Sequence, residues 1–112
     1  FTLELGRVGE FGGKLPRALW AGVRNSAELS HLQKKIETAM QRLGLPAEER
    51  KFTPHVTLAR LRNSPPEKVM EFVAHNALFA SDAFEVKSFA LVSSHLSGAG
   101  AVYNVERVYS LQ

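Results

Sequence analysis

The tetrapeptide His55-Val56-Thr57-Leu58 puts a proton carrier and a hydroxyl two residues apart. In a strand such residues project from the same face, about 6.6 Å apart along the chain. Histidine has an ordinary pKa near 6.5, so an imidazole can take or give a proton at neutral pH without extreme tuning. A threonine hydroxyl can donate a hydrogen bond to a phosphoryl oxygen, and a nearby arginine can neutralise the charge that builds there. Arg60 is the natural candidate for that arginine. In an ideal strand, however, it lies on the Val56 side, and it reaches the same site only if the strand twists, bulges or ends by then. Val56 and Leu58 point away from His55, and the alternation predicts that the core holds this back face. Splitting a phosphodiester without a metal generally takes two proton carriers, one to activate the nucleophile and one to protonate the leaving oxygen. The tetrapeptide supplies one of them.

Spacing alone is a weak signal. His95-Leu96-Ser97 fits the same loose pattern, and an ordinary strand histidine, half-buried and bonded to a threonine or to backbone, would look no different. The setting adds information. Between Arg50 and Pro66 stand Arg50, Lys51, Arg60 and Arg62 with no acidic residue, and His55 lies inside that window. The window reads either as a solvated basic loop and strand end or as a small anion site. His31 is out of phase with the apolar helix positions and reads as solvated, and His75 lies near a helix end, where it suits the dipole. No histidine pair has zinc-binding spacing, so a metal site is not expected. Trp20, Phe72, Phe84 and Phe89 read as core rather than as base-stacking platforms.

The bulk composition leaves room for such a site and excludes several alternatives. The chain has 112 residues, 45% of them hydrophobic, enough for one small core and too few for two ordinary domains. A net charge of +3, from 14 basic against 11 acidic residues, is too small to argue for nucleic acid on its own. There is no cysteine, hence no disulfide framework or thiolate metal site, and a cytoplasmic setting is expected. No apolar run approaches the roughly 20 residues a membrane span needs. The chain opens on Phe1 in strand-like alternation, without an initiator methionine or a signal peptide pattern, and reads as a fragment.

The elements that would carry these residues follow from periodicity and punctuation. Phe1, Leu3 and Leu5 alternate with polar residues in a strand running toward Val8 and Phe11. Gly12-Gly13-Lys14-Leu15-Pro16 breaks it. Ala18 to Val23 reads as a second, more buried strand, in a hairpin with the first or close beside it. Asn25 or Ser26 can cap a helix with apolar positions Leu29, Leu32, Ile36, Met40 and Leu43, ended by Gly44. A strand from Phe52 to Leu61 follows, and the succession strand, helix, strand allows a crossover unit. Ser64-Pro65-Pro66-Glu67 offers a cap, an N1 proline and an N3 glutamate for a second helix ending near Asn76. Phe84 to Val92 reads as one long strand with both faces partly covered. Gly98-Ala99-Gly100 makes a turn, and Val102 to Leu111 returns. The order β-β-α-β-α-β-β implies an α+β fold of helices against largely antiparallel sheet, with the whole chain, 1–112, as a single unit.

The longer string Phe52-Thr53-Pro54-His55-Val56-Thr57-Leu58-Ala59-Arg60 resembles the second signature of the 2H phosphoesterases. Within them it is most similar to the RNA 2′,3′-cyclic phosphodiesterases, also called LigT or 2′-5′ RNA ligases. The resemblance spans essentially the whole chain. Leu5 to Phe11 with Gly9, then Leu19-Trp20-Ala21-Gly22-Val23 and the long helix, look like the middle of that family. Leu91 to Ser97 with Gly100 and Tyr103 looks like its closing hairpin. The resemblance implies a LigT-like fold of two lobes around a cleft, helices on the outer faces, each lobe giving one His-x-Thr/Ser motif. This chain would be its middle and C-terminal part. In the family the first histidine donates a proton to the leaving oxygen and the second accepts one from water. By resemblance His55 takes the second role, Thr57 is the phosphate-binding hydroxyl and Arg60 the accompanying arginine.

The implied reaction opens a terminal 2′,3′-cyclic phosphate of RNA to a 2′-phosphate with no metal or cofactor, with 2′-5′ joining as a minor reverse activity. The first motif would lie upstream of Phe1, and His95-Leu96-Ser97, in the closing hairpin, does not stand in for it. The chain alone is therefore expected to be inactive or nearly so. The implied partner is RNA with a cyclic phosphate end, or a nucleotide. Two other function classes remain: a module that holds RNA ends or a nucleotide without turnover, and a purely structural interaction domain.

Overall fold

A computed structural model describes residues 1–111 and divides them into two units, Leu3–Ala83 and Phe1–Thr2 with the chain from Phe84 onward. In chain order the elements are β1 (Thr2–Leu3), β2 (Leu5–Phe11), β3 (Ala18–Val23), α1 (Ala27–Arg42), β4 (His55–Arg60), α2 (Pro66–His75), β5 (Phe84–Glu85), β6 (Ser88–Ser97) and β7 (Gly100–Ser110). The class is α+β, as the sequence predicts. Among the described residues no helix is long and apolar enough to cross a membrane.

In the unit Leu3–Ala83, β2, β3 and β4 form an antiparallel sheet with β3 in the middle. The central place suits its sequence: Trp20, Ala21 and Gly22 are buried, and the strand is apolar on both faces. The β2–β3 hairpin turns through Gly12 and Gly13, both at positive φ. A Cβ on Gly12 would collide with the Leu15 carbonyl oxygen, so this turn requires glycine.

Helix α1 starts as predicted, with the Ser26 side chain accepting a hydrogen bond from the Leu29 amide, and it stops before Gly44, whose φ is 97°. The structure does not form the crossover that the strand, helix, strand succession allows. A crossover needs parallel strands, and β4 runs antiparallel beside β3, with Gly22 opposite His55. The non-helical return between Gly44 and Pro54 undoes the helix's travel. The chain thus re-enters at the end of β3 that it left, where the Val23 amide donates to the Pro54 carbonyl at 3.2 Å.

Helix α2 also begins differently from the expectation. Pro65, not Ser64, occupies the cap position, and no side chain caps the helix. A residue before proline is driven out of the helical region. Pro66 therefore holds Pro65 extended, at ψ 127°, and leaves Ser64 one residue too early to cap. The helix packs against β2 and buries Val69. Val8, Trp20, Ala21 and Val69 are the buried hydrophobic residues among those described.

In the other unit, β6 and β7 pair in a long antiparallel hairpin closed at Gly98 and Ala99. The single long strand expected from Phe84 is interrupted at Val86 and Lys87. The backbone changes partners there: the Val86 amide donates to the Phe1 carbonyl, whereas the Lys87 carbonyl accepts from the Leu111 amide. Both faces of the hairpin are largely exposed rather than partly covered.

Candidate active site

His55 and Thr57 sit on β4 opposite Gly22 and Trp20. Directly paired residues of an antiparallel sheet share a face, so imidazole, hydroxyl and indole all project to one side. The register then slips. Trp20 is paired with Thr57, but the next residue on β3, Leu19, is paired with Ala59, so Leu58 is one extra residue on β4. After this bulge Arg60 lies opposite Ala18. Ala18 and Trp20, two apart on β3, share a face, and Arg60 is thereby returned to the side of His55 and Thr57. Had Leu58 continued the regular alternation instead of bulging, Arg60 would have lain on the back. The three residues singled out in the sequence therefore share one face of one strand.

Glycines keep the floor of that face low. The Trp20 indole lies over Gly9, where an added Cβ would collide with the ring carbon Cζ2, and its Cζ3 would be 3.2 Å from a Cβ on Gly22. The indole is buried, as the sequence reading expects of Trp20, and its Nε1 has no hydrogen-bond partner. Phe11 completes the surround. Its ring centroid is 5.4 Å from that of Trp20 and 5.1 Å from that of His55, edge-on to the imidazole. Trp20 and His55 are 6.3 Å apart.

The imidazole is oriented by backbone. His55 Nδ1 lies 2.6 Å from the Thr53 carbonyl oxygen. A carbonyl only accepts, so Nδ1 carries the proton, and in the neutral ring Nε2 keeps a free lone pair. That is the form a proton acceptor needs. Composition and spacing hold no sign of Thr53 or Phe11 in this role, since one acts through its carbonyl and the other lies on a different strand.

A groove of about 740 Å³ opens beside His55, with Phe11, Arg17, Arg50, Lys51 and Phe52 among its lining residues. Part of the basic window thus borders His55. Its positive charge is not all free: Arg50 Nε pairs with a Glu48 oxygen at 3.2 Å, and the same oxygen accepts from the Arg50 amide at 3.0 Å. These bonds hold the Glu48 carboxyl below its ordinary value and raise the Arg50 guanidinium above its own. His31, His75 and His95 are exposed on α1, α2 and β6.

The back of β4 differs from the expectation. Val56 and Leu58 are 47% and 52% exposed rather than held by a core. Helix α2 packs mainly on β2, at the other edge of the sheet, and does not cover them.

The LigT like Phosphoesterase family model matches residues 22–103. An RNA 2′,3′-cyclic phosphodiesterase of Aquifex aeolicus is 31% identical over 100 residues, covering 88% of this chain and 53% of the relative. Another, of Thermotoga maritima, is 32% identical over 108 residues, covering 94% and 55%. The crystal structure of TT0787 of Thermus thermophilus superposes with a TM-score of 0.76 at 26% identity, covering 99% of this chain and 60% of that one. The chain spans about half the length of the curated relatives it matches. A family match over most of the sequence, relatives more than 30% identical along nearly the whole chain and a shared α+β fold together establish that the chain belongs to the LigT-like phosphoesterase family.

Proposed function

We propose that the protein carrying this chain hydrolyses RNA 2′,3′-cyclic phosphate ends to 2′-phosphates by a metal-independent, paired-histidine mechanism. His55 Nε2 accepts the proton of the attacking water while the Thr53 carbonyl fixes the ring through Nδ1. Thr57 donates its hydroxyl hydrogen bond to a phosphoryl oxygen, and Arg60 neutralises the charge that builds on the phosphate as the water attacks. The P–O bond to the 3′ oxygen breaks, and a second proton carrier must protonate that oxygen. The His55 face supplies none among the described residues. In this proposal the acid comes from the other lobe of a two-lobed domain of which this chain is the middle and C-terminal part. The chain alone then turns over slowly or not at all, with a factor on the order of 10²–10⁴ forfeited. Reverse 2′-5′ joining is a lesser activity of the same site, and no cofactor is involved. The setting is cytoplasmic.

The observation that carries the reading is the bulge at Leu58. It brings a cation to the same face as a base and a hydroxyl, an arrangement that a merely structural strand histidine does not need. The test is an assay of the full-length protein on an RNA with a 2′,3′-cyclic phosphate end, in the presence of chelator. Accumulation of the 2′-phosphate is expected. Tight binding of the end without turnover would replace the enzyme by a binding module.

A further inference from the structure

The same sheet has a second register slip, on its other edge. Between Gly6 and Val8 the pairing of β2 with β3 jumps by one, so Arg7 is an extra residue. Its φ is 56°, in the left-handed region that side chains with a Cβ rarely adopt. Its amide is fixed there by a 2.8 Å hydrogen bond to the Phe79 carbonyl. The consequence is a change of face. The Arg7 Cζ lies 5.0 Å from the centre of the Trp20 ring, and its Cγ would be 3.6 Å from a Cβ on Gly22, the residue paired with His55. Arg7 and Arg60 are therefore brought to the His55 face from opposite edges of the sheet, each by a bulge.

Their partners differ from that of the third arginine nearby. Arg24, over Gly6, is paired with Glu4 at 3.6 Å. Arg7 is exposed and has no carboxylate partner among the described residues. A guanidinium over an indole can be held by the ring's π-system while its N–H donors stay available, a setting that suits a phosphate. Covering Trp20 alone would not require a charge, nor a left-handed backbone to deliver it. Backbone strain of this kind concentrates where a side chain must be aimed.

We propose that Arg7 is a second phosphate contact, binding the phosphodiester that joins the cyclic-phosphate nucleotide to the nucleotide before it. This rests on the reading that the His55 face takes an RNA 2′,3′-cyclic phosphate. Strands β2 and β4 lie on either side of β3, roughly 10 Å apart, a gap that one nucleotide and the reach of two side chains can bridge. Arg7 thereby selects substrates with at least two nucleotides.

The test compares two substrates in the full-length protein: a nucleoside 2′,3′-cyclic phosphate with a free 5′-hydroxyl, and a dinucleotide ending in the same group. Arg7→Asn removes the charge with a residue that tolerates positive φ, and Arg7→Lys keeps the charge. Arg7→Asn is expected to raise KM for the dinucleotide about tenfold more than for the mononucleotide. The salt slope of log KM for the dinucleotide should become shallower by about 0.7. Arg7→Lys should recover most of the selectivity. An unchanged substrate ratio in Arg7→Asn, with or without a fall in Tm, overturns the proposal and leaves Arg7 as a cover for Trp20. Failure of the unsubstituted protein to open either substrate would instead overturn the underlying reading.

Discussion

Two stretches of this chain share the pattern His-x-Thr/Ser, and their surroundings differ in ways that favour only one as the proposed site. His55-Val56-Thr57 lies on a three-stranded sheet, with Trp20 across from Thr57, Phe11 edge-on to the imidazole and Arg60 on the same face. His95-Leu96-Ser97 lies at the tip of a two-stranded hairpin, opposite Val102, Ala101 and Gly100. There the hydroxyl is already occupied. Ser97 Oγ donates to the Gly100 carbonyl at 2.9 Å and accepts from the Ala99 amide, so it closes the turn. Leu96 is 88% exposed. What sets the proposed site apart from a bare tripeptide is what its neighbours fix: the ring nitrogen that stays free, the hydroxyl that stays unspent, and a cation delivered to the same side.

The largest expected effect separates the two histidines. In the full-length protein His55→Ala should lower kcat for 2′,3′-cyclic phosphate hydrolysis by roughly 10²–10⁴, whereas His95→Ala should stay within about twofold. Comparable losses in both would erase the contrast. Next comes the bulge. Arg60→Ala should cost about tenfold to a hundredfold in kcat/KM. Deleting Leu58 removes the extra residue yet leaves Arg60 on the His55 face by simple alternation, so that variant should retain more activity than Arg60→Ala. The opposite ranking would contradict the face assignment.

A third test concerns the floor. Gly9→Ala must displace the Trp20 indole and should cost about 1–3 kcal/mol of stability by overpacking, read as a fall in Tm; an unchanged Tm would show that the indole has room to spare. The smallest effect is expected at Glu48→Gln. The Glu48 carboxyl is lowered by Arg50. Its stabilising pair is therefore fully present above the ordinary carboxylate value and lost as pH falls through the lowered one. Both groups are exposed, so solvent screening should leave Tm at neutral pH unchanged. A clear fall would mean the pair orders the groove.

How far the sequence discloses this arrangement depends on where the signal lies. Ser26, the α1 periodicity and Gly44 are local, and the helix they predict forms. The hairpin around Gly12 and the buried β3 are legible for the same reason. The bulge at Leu58 is not, because a leucine reads the same whether it continues an alternation or interrupts it. The Thr53 carbonyl carries no side-chain signature at all. Ser64 fails as a cap through a steric effect of Pro66 on the residue before it. The break at Val86 depends on a hydrogen bond to Phe1, far away in sequence. The back of β4 has the alternation of a core face, but which edge of a sheet a helix covers is decided by packing, not by alternation.

The role given to His55 is tested most directly by chemical rescue. The full-length His55→Ala protein would be assayed on a 2′,3′-cyclic phosphate substrate with increasing imidazole in solution. The expected result is a slow variant whose rate rises with the concentration of unprotonated imidazole, while the unsubstituted protein does not respond. Hydrolysis by the variant at the unsubstituted rate, before any imidazole is added, would contradict it.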